Sequence, residues 1–115
     1  MQIFDDNIQT MARAMTLRST NQQVIASNIA NVDTPGYVAR KLDFDASLQA
    51  AIAQVDATPI IEDSPESALL LDGNNVDLEG ELAQMDRNKM MYRVTAQLLA
   101  AKLKQLNAAA QESSA

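Results

Sequence analysis

Residues 78–110 read LEGELAQMDRNKMMYRVTAQLLAAKLKQLNAAA, and apolar or small side chains recur there at alternating intervals of four and three residues. The residues on this row are Leu78, Leu82, Met85, Lys89, Tyr92, Ala96, Leu99, Leu103, Leu106 and Ala110. A sustained period of 3.5 residues is typical of a coiled-coil seam, which packs against a second helix. The pattern therefore predicts a long helix with a helical partner; the alternative is an ordinary amphipathic helix in a small bundle.

A second row with the same spacing lies near the amino terminus. Its apolar members are Phe4, Ile8, Met11, Met15, Ile25, Ile29 and Val32, and two polar residues, Arg18 and Gln22, occupy its middle positions. This row predicts a helix from about Ile8 to about Asn31 that pairs with the carboxyl-terminal helix. We expect Arg18 to extend its charged end to water, although it could also fix the register of the pair together with Gln22, whose role stays open.

Further apolar residues lie beside the two rows. They are Ala14, Leu17, Val24, Met91 and Leu98. Because two helices packed on each other bury only one stripe each, we expect these side chains to stay exposed in an isolated subunit.

The first helix is predicted to end before Pro35. Proline has no backbone N–H, and it disfavours the helical conformation of the preceding residue. The sequence Thr34-Pro35-Gly36-Tyr37 fits a type II turn, in which Gly36 takes a positive φ.

These patterns predict an all-α fold in which two long terminal helices pair as an antiparallel coiled-coil hairpin. The helical segments are residues 1–32 and 78–115, and residues 33–77 form a mostly irregular centre with room for a short helix and short strands. We expect a short helix from Asp45 to Gln54 with Asp45 as its N-cap, and an extended piece near residues 58–62. Asp77 is the expected N-cap of the second long helix, and fraying is expected from Ala108 onward.

Composition argues against most enzymatic chemistry. The 115 residues include no His, Cys or Trp, so the usual zinc ligands, thiolate nucleophiles and imidazole bases are missing. Two carboxylate pairs, Asp5 with Asp6 and Asp43 with Asp45, have no matched acid, base or ligand cluster nearby in the sequence. We therefore expect no catalytic residues, no cofactor, no metal site and no small-molecule substrate.

The net charge of −6 is concentrated in the centre of the chain. Residues 33–77 hold nine acidic and two basic residues, whereas the two ends are nearly neutral. Nucleic acid is therefore not an expected partner, because no basic stripe is available to neutralise phosphates. The centre is either a contact region for adjacent copies or a flexible acidic loop.

The amino terminus does not read as a cleaved signal peptide. Acidic residues precede the first basic one, and no apolar core is followed by a small-residue cleavage site. No stretch has the 18 or more apolar residues typical of a membrane span.

The sequence also resembles a known family. Residues 26–37, ASNIANVDTPGY, are similar to the amino-terminal signature of flagellar rod and hook proteins, and residues 72–79, DGNNVDLE, followed by Glu81-Leu82-Ala83, resemble the proximal rod subunits of that family. The family residues matched here are Asn28, Asn31, Thr34, Pro35, Gly36, Tyr37, Asn75 and Asp77.

The resemblance implies a structural subunit of the proximal rod in the bacterial flagellar basal body, located in the periplasm and exported by the flagellar type III apparatus without a cleaved leader. It implies, as partners, copies of the chain itself, other flagellar rod subunits, the protein that joins the rod to the MS ring, and the flagellar export gate. The residues expected to pack between subunits are Ile8, Met11, Met15, Ile25, Ile29, Leu82, Met85, Tyr92, Leu99, Leu103 and Leu106. The alternative is a freestanding helical-hairpin adaptor or export chaperone that uses the same rows to bind one partner.

Overall fold

A computed structural model of the chain describes residues 2–53, 58–64 and 76–113. Within these ranges the elements are α1 (Gln2–Ala30), β1 (Arg40–Leu42), α2 (Phe44–Ile52), β2 (Ile61–Asp63) and α3 (Leu78–Ser113). The Cα atoms extend over 67 × 28 × 16 Å, a length set by the two long helices, which contact each other. The predicted helical fold, with two long terminal helices and a centre holding a short helix and short strands, is confirmed.

The helix α1 begins at Gln2, six residues before the predicted start at about Ile8. It ends at Ala30, where the N–H group of Asn31 bonds to the carbonyl oxygens of Ser27 and Asn28 at 3.2 Å. The predicted turn follows. The Tyr37 N–H group donates to the Thr34 carbonyl at 3.2 Å, and Gly36 has a φ of +75°, so its predicted positive φ is confirmed.

The two strands form an antiparallel pair in which Arg40 lies opposite Asp63 and Leu42 lies opposite Ile61. The pairing extends past both ends of the strands, because Ser64 donates to the Ala39 carbonyl and Asp43 donates to the Ile60 carbonyl. The extended piece expected near residues 58–62 is therefore present as β2, shifted toward the carboxyl terminus.

The predicted N-cap of the short helix was wrong by two residues. Asp43, in an extended conformation, accepts from the Ala46 N–H group at 3.1 Å, and α2 begins at Phe44 rather than after Asp45. The cause is tertiary: because the N–H group of Asp43 pairs with Ile60, the chain stays extended up to Asp43 and can turn into a helix only after it. Inside α2, the buried Ser47 hydroxyl accepts from the Ile60 N–H group at 2.9 Å.

Buried apolar side chains gather where α1 meets the central segment. The most buried are Leu17, Ile25, Ala39, Leu42 and Val76. Leu17, expected to be exposed, is only 4% exposed, so that expectation was wrong. It lies beside Ala51 of α2 and Pro59, which cover the face of α1 that a two-helix arrangement would leave open.

The N-cap of α3 is Asp77, as predicted. Its Oδ1 accepts from the Gly80 N–H group at 3.2 Å, and its carbonyl accepts from Glu81 at 2.8 Å. Glycine is a weak helix former, but a Cβ atom at residue 80 would collide with the capping carboxylate. Gly80 therefore makes room for the cap. The Ala-rich end of α3, where fraying was expected, is helical to Ser113.

None of the helices in the described ranges combines the length and the apolar composition that crossing a membrane requires.

Candidate assembly site

The side chain of Asn28 joins the end of α1 to the strand pair. It is 1% exposed, its Nδ2 donates to the Arg40 carbonyl at 2.8 Å, and its Oδ1 accepts from the Arg40 N–H group at 3.0 Å. The Tyr37 hydroxyl donates to the same Oδ1 at 3.1 Å. One amide thus fixes both the strand and the turn relative to the helix, because its Nδ2 and its Oδ1 both form hydrogen bonds in the buried interior.

The remaining motif residues support this junction from the outside. The Asn31 Nδ2 donates to the Ser27 carbonyl at 2.8 Å, and the Thr34 hydroxyl donates to the Asn31 Oδ1 at 3.1 Å. Asn31 and Tyr37 are half-buried, whereas Thr34, Pro35 and Gly36 are exposed. The polar residues of the motif therefore act together to set the direction in which the chain leaves α1. Asn75, which also belongs to the family resemblance, lies outside the described residues, and Asp77 is exposed at the start of α3.

A second buried amide, Asn88, joins α1 to α3. Its Nδ2 donates to the Arg18 carbonyl at 2.7 Å and to the Gln22 Oε1 at 2.9 Å, and its Oδ1 accepts from the Asn21 Nδ2 at 2.9 Å. These bonds fix the register of one helix against the other, since sliding by one residue would leave a buried amide without partners. Gln22, whose role the sequence left open, is one of the residues that fix this register.

Arg18 connects α1 to α2. Its guanidinium carbon lies 3.7 Å from the centroid of the Phe44 ring, a cation–π geometry. Burial lowers the pKa of Arg18, the nearby Arg87 lowers it further, and Asp45 opposes both effects. The guanidinium was expected to extend freely into water. Instead, the aromatic ring of Phe44 in α2 partly covers it.

The residues predicted to pack between subunits fall into three groups by exposure. Ile25 is buried within the chain; Ile8, Met11, Met15, Ile29, Met85, Leu99 and Leu106 are half-buried; Leu82, Tyr92 and Leu103 are exposed. The half-buried and exposed members present apolar surface that a single chain does not cover.

The outer face of α3 is apolar on two flanks. Leu82 and Leu103 are 47% and 48% exposed on the side of the predicted row, and Leu98 is 51% exposed on the other side, near Met91 and Val94. As expected from the sequence, Met91 and Leu98 are exposed. Exposed apolar surface that forms a large patch commonly marks an interaction site.

Asn88, Asn21 and Ser47 are the polar residues that sequence reasoning missed. An available signal was the polar pair Arg18 and Gln22 in an otherwise apolar row, because a buried polar group needs a polar partner on the facing helix. The facing residue was not identifiable without the register of the pair. Among the described residues, no cluster of acidic side chains is placed to hold a metal ion.

The arrangement is that of an assembling structural subunit: a helix pair locked in register by buried amides, with apolar faces open to further chains. Residues 8–37 match a family model described as "Flagella basal body rod protein". The flagellar basal body rod protein FlgB of Escherichia coli (strain K12) is 32% identical over 123 residues, covering 87% of this chain and 89% of the relative.

Relatives from other bacteria agree. The flagellar basal body rod protein FlgB of Borrelia hermsii is 30% identical over 93% of this chain and 97% of its own length, and that of Bacillus subtilis (strain 168) is 27% identical over 92% and 94%. The chain belongs to the flagellar basal body rod protein family. It is a FlgB-like structural subunit of the flagellar rod in the basal body, not an enzyme.

Proposed function

We propose that this chain is a subunit of the proximal rod that polymerises through its terminal helices into the drive shaft used in flagellum-dependent motility. In this proposal the rod is periplasmic. Its contacts are with copies of itself, with other rod subunits, with the protein that joins the rod to the MS ring, and with the export gate. The observation that carries the proposal is the exposed apolar surface on both flanks of α3.

The proposal includes an antiparallel coiled-coil pairing of α1 and α3. Ile25 lines one surface pocket together with Glu81 and Gln84. Gln22 lines another pocket together with Asn88 and Tyr92. As the position advances along α3, the facing position therefore recedes along α1. Ile25 is buried between the helices, whereas Tyr92 and Leu103 are exposed and available to contact helices of neighbouring subunits.

A single chain leaves too much apolar surface exposed to be the functional unit. Full burial of an exposed leucine or methionine supplies about 1.5 to 3 kcal/mol, and roughly half of that remains to be gained here because these side chains are about half exposed. Because each copy presents one surface and accepts a different one, such contacts are heterologous and lead to a tube or filament rather than a closed dimer.

The test compares Leu99→Glu with Gln97→Glu in cells that depend on the variant chain. Leu99 is half-buried on the predicted row and Gln97 is exposed, so both variants add the same charge to α3 but only the first adds it to the packing row. We expect Leu99→Glu to abolish swimming and rod formation, since a charge in a dry interface costs several kcal/mol. Leu99→Met and Gln97→Glu should swim normally.

Normal swimming of the Leu99→Glu variant would contradict packing through the terminal helices. A subunit-resolved map of the basal body then tests the location, because the proposal requires this chain in the rod segment nearest the export gate. Purification of the chain in a closed complex of small, fixed stoichiometry with one partner would instead support the adaptor.

A further inference from the structure

Charge is divided unequally between two parts of the molecule. We use "stem" for residues 7–30 of α1 with residues 87–111 of α3, and "head" for the described residues 31–53, 58–64 and 76–86. The stem holds seven basic residues and no acidic one: Arg13, Arg18, Arg87, Lys89, Arg93, Lys102 and Lys104. The acidic residues Asp5, Asp6 and Glu112 lie beyond it, in the outer turns of α1 and α3. The head holds nine acidic residues against Arg40 and Lys41: Asp33, Asp43, Asp45, Glu62, Asp63, Asp77, Glu79, Glu81 and Asp86.

A groove in the stem concentrates the positive charge. It runs between α1 and α3, has a volume of about 440 Å³, and is lined by the cations Arg18, Lys89 and Arg93, with Tyr92 and Ala96 as apolar wall. No carboxylate is among its described lining residues. Arg18 is already engaged with Phe44, but Lys89 and Arg93 are exposed and form no ion pair or hydrogen bond with any described residue.

Most acidic residues of the head have a role within the chain. Asp43 and Asp77 cap helices, and the negative charge of Asp45 raises the pKa of Arg18. Glu62 and Asp63 lie across the strand pair from Lys41 and Arg40.

Three acidic residues of the head are not engaged in this way: Asp33, Glu79 and Asp86, of which Asp86 lies on α3 three residues before Lys89. Asp33 follows the end of α1 and Glu79 lies in the first turn of α3; both are exposed and have no hydrogen-bond or ion-pair partner among the described residues. Because Ile25 and Glu81 line one cavity, the end of α1 and the start of α3 lie at the same end of the helix pair, and we use "tip" for Asp33 and Glu79 there.

We propose that the tip of the head of one copy, with Asp33 and Glu79, docks into the stem groove of the next copy, against Lys89 and Arg93. This inference rests on the proposed polymerisation and specifies its contact. The occupant is a second copy because the complementary charges are on the same chain, at two separate places on one molecule. The contact is heterologous, since tip meets groove, and its repetition builds an open assembly.

Glu79 and the midpoint of Lys89 and Arg93 are 12 residues apart on α3, so successive copies are staggered by about 18 Å along the helix axis. The apolar wall of the groove supplies contact area. Exposed ion pairs contribute little to affinity, so the charges act mainly by setting the orientation and the rate of docking.

The test reverses the charges on each side. The groove variant carries Lys89→Glu with Arg93→Glu, and the tip variant carries Asp33→Lys with Glu79→Lys. Either variant alone places like charges against each other, so we expect rods per cell and swimming to fall about tenfold or more. In cells that express both variants, every tip meets a groove of opposite charge when the two alternate, and swimming should return.

Restored swimming in the mixed cells requires copy-to-copy contact and cannot come from a general change in charge. The matched control is Lys104→Glu, which reverses another exposed lysine of α3 outside the groove and should swim normally; circular dichroism of each purified variant checks that the helices are retained. Wild-type swimming of either double variant, or failure of the mixture to recover, overturns the proposal.

Vesicles rich in anionic lipid provide a further measurement. Binding of the wild-type chain but not of the groove variant, together with failure of the mixture, would assign the groove to a membrane surface instead. If Leu99→Glu abolishes rods while the charge variants swim, the proposed function stands and only this contact fails.

Discussion

The junction around Asn28 and the outer face of α3 differ in one respect. The polar groups of the junction have their hydrogen-bond partners within the chain, whereas the apolar side chains on the outer face of α3 are left exposed. At the junction one buried amide makes three hydrogen bonds to groups 9 to 12 residues away in the sequence. On α3, Met90 is 64% exposed and Leu98 is 51% exposed. The difference indicates that the junction is complete within one chain, whereas the outer face of α3 would be completed by other chains in the proposed assembly. Substitutions should therefore affect the stability of the isolated subunit at the junction, and assembly at α3.

The largest effect on the stability of the subunit is expected for Asn28→Leu. Leucine has a similar volume but leaves the Arg40 N–H and carbonyl groups and the Tyr37 hydroxyl without their partner, at a cost of about 4 kcal/mol in the free energy of unfolding. Urea unfolding followed by circular dichroism measures it. Asn31→Ala, which removes more exposed bonds, should cost about 1 kcal/mol or less; equal losses in both variants would contradict the role of burial at the junction.

A smaller loss is expected for Asn88→Leu, about 2 kcal/mol. Its partners Asn21 and Gln22 are half-buried and can reach water when the amide is removed, and the Arg18 carbonyl belongs to a helix. The same unfolding measurement applies, and the exposed Gln97→Leu on the same helix is the control. If Asn88→Leu stabilises the subunit, Asn88 serves to specify the register and not to hold the helices together.

A still smaller loss, about 1.5 kcal/mol, is expected for Gly36→Val, because a β-branched residue is strained at a positive φ. A Cβ atom on Gly36 would meet no other atom within 4 Å, so only the backbone conformation opposes the substitution. Gly36→Asn is the control, since asparagine tolerates this conformation and should cost clearly less. Swimming assays show whether the altered turn also impairs assembly; a Val variant as stable as wild type would rule out strain at this turn.

The smallest effect on stability is expected for Leu98→Gln, within about 0.5 kcal/mol, because the side chain is already exposed in the isolated chain. Its effect on rod formation should nevertheless be large if α3 is an interface. Leu98→Gln would then leave the isolated subunit stable but prevent rod formation, whereas Asn28→Leu destabilises the subunit itself. A variant that is stable and also swims would show that this flank of α3 stays exposed in the rod.

The periodic parts of the fold were predictable from the sequence, and the parts that depend on distant contacts were not. The spacing of Leu82, Met85, Leu99 and their neighbours repeats a local signal over many turns, and Pro35 with Gly36 defines a turn by backbone chemistry alone. By contrast, Asp43 and Asp45 are equally good N-caps locally, and only the bond between Asp43 and Ile60 decides between them. The burial of Leu17 likewise depends on where α2 packs.

The candidate site was predictable to the same extent. Asn28 was identified through a family motif, but its bonds to Arg40 span 12 residues and have no signature in spacing. Asn88 contacts residues 66 to 70 positions away, which requires the register of two helices to be known.

The bonds between Asn28 and Arg40 also protect the chain from uncontrolled association. Exposed edges of β-strands offer unpaired N–H and carbonyl groups that recruit strands from other molecules and start aggregates. On one side β1 pairs with β2, and on the other the Asn28 amide occupies both backbone groups of Arg40. This edge is therefore closed to foreign strands, while the outer face of α3 stays exposed.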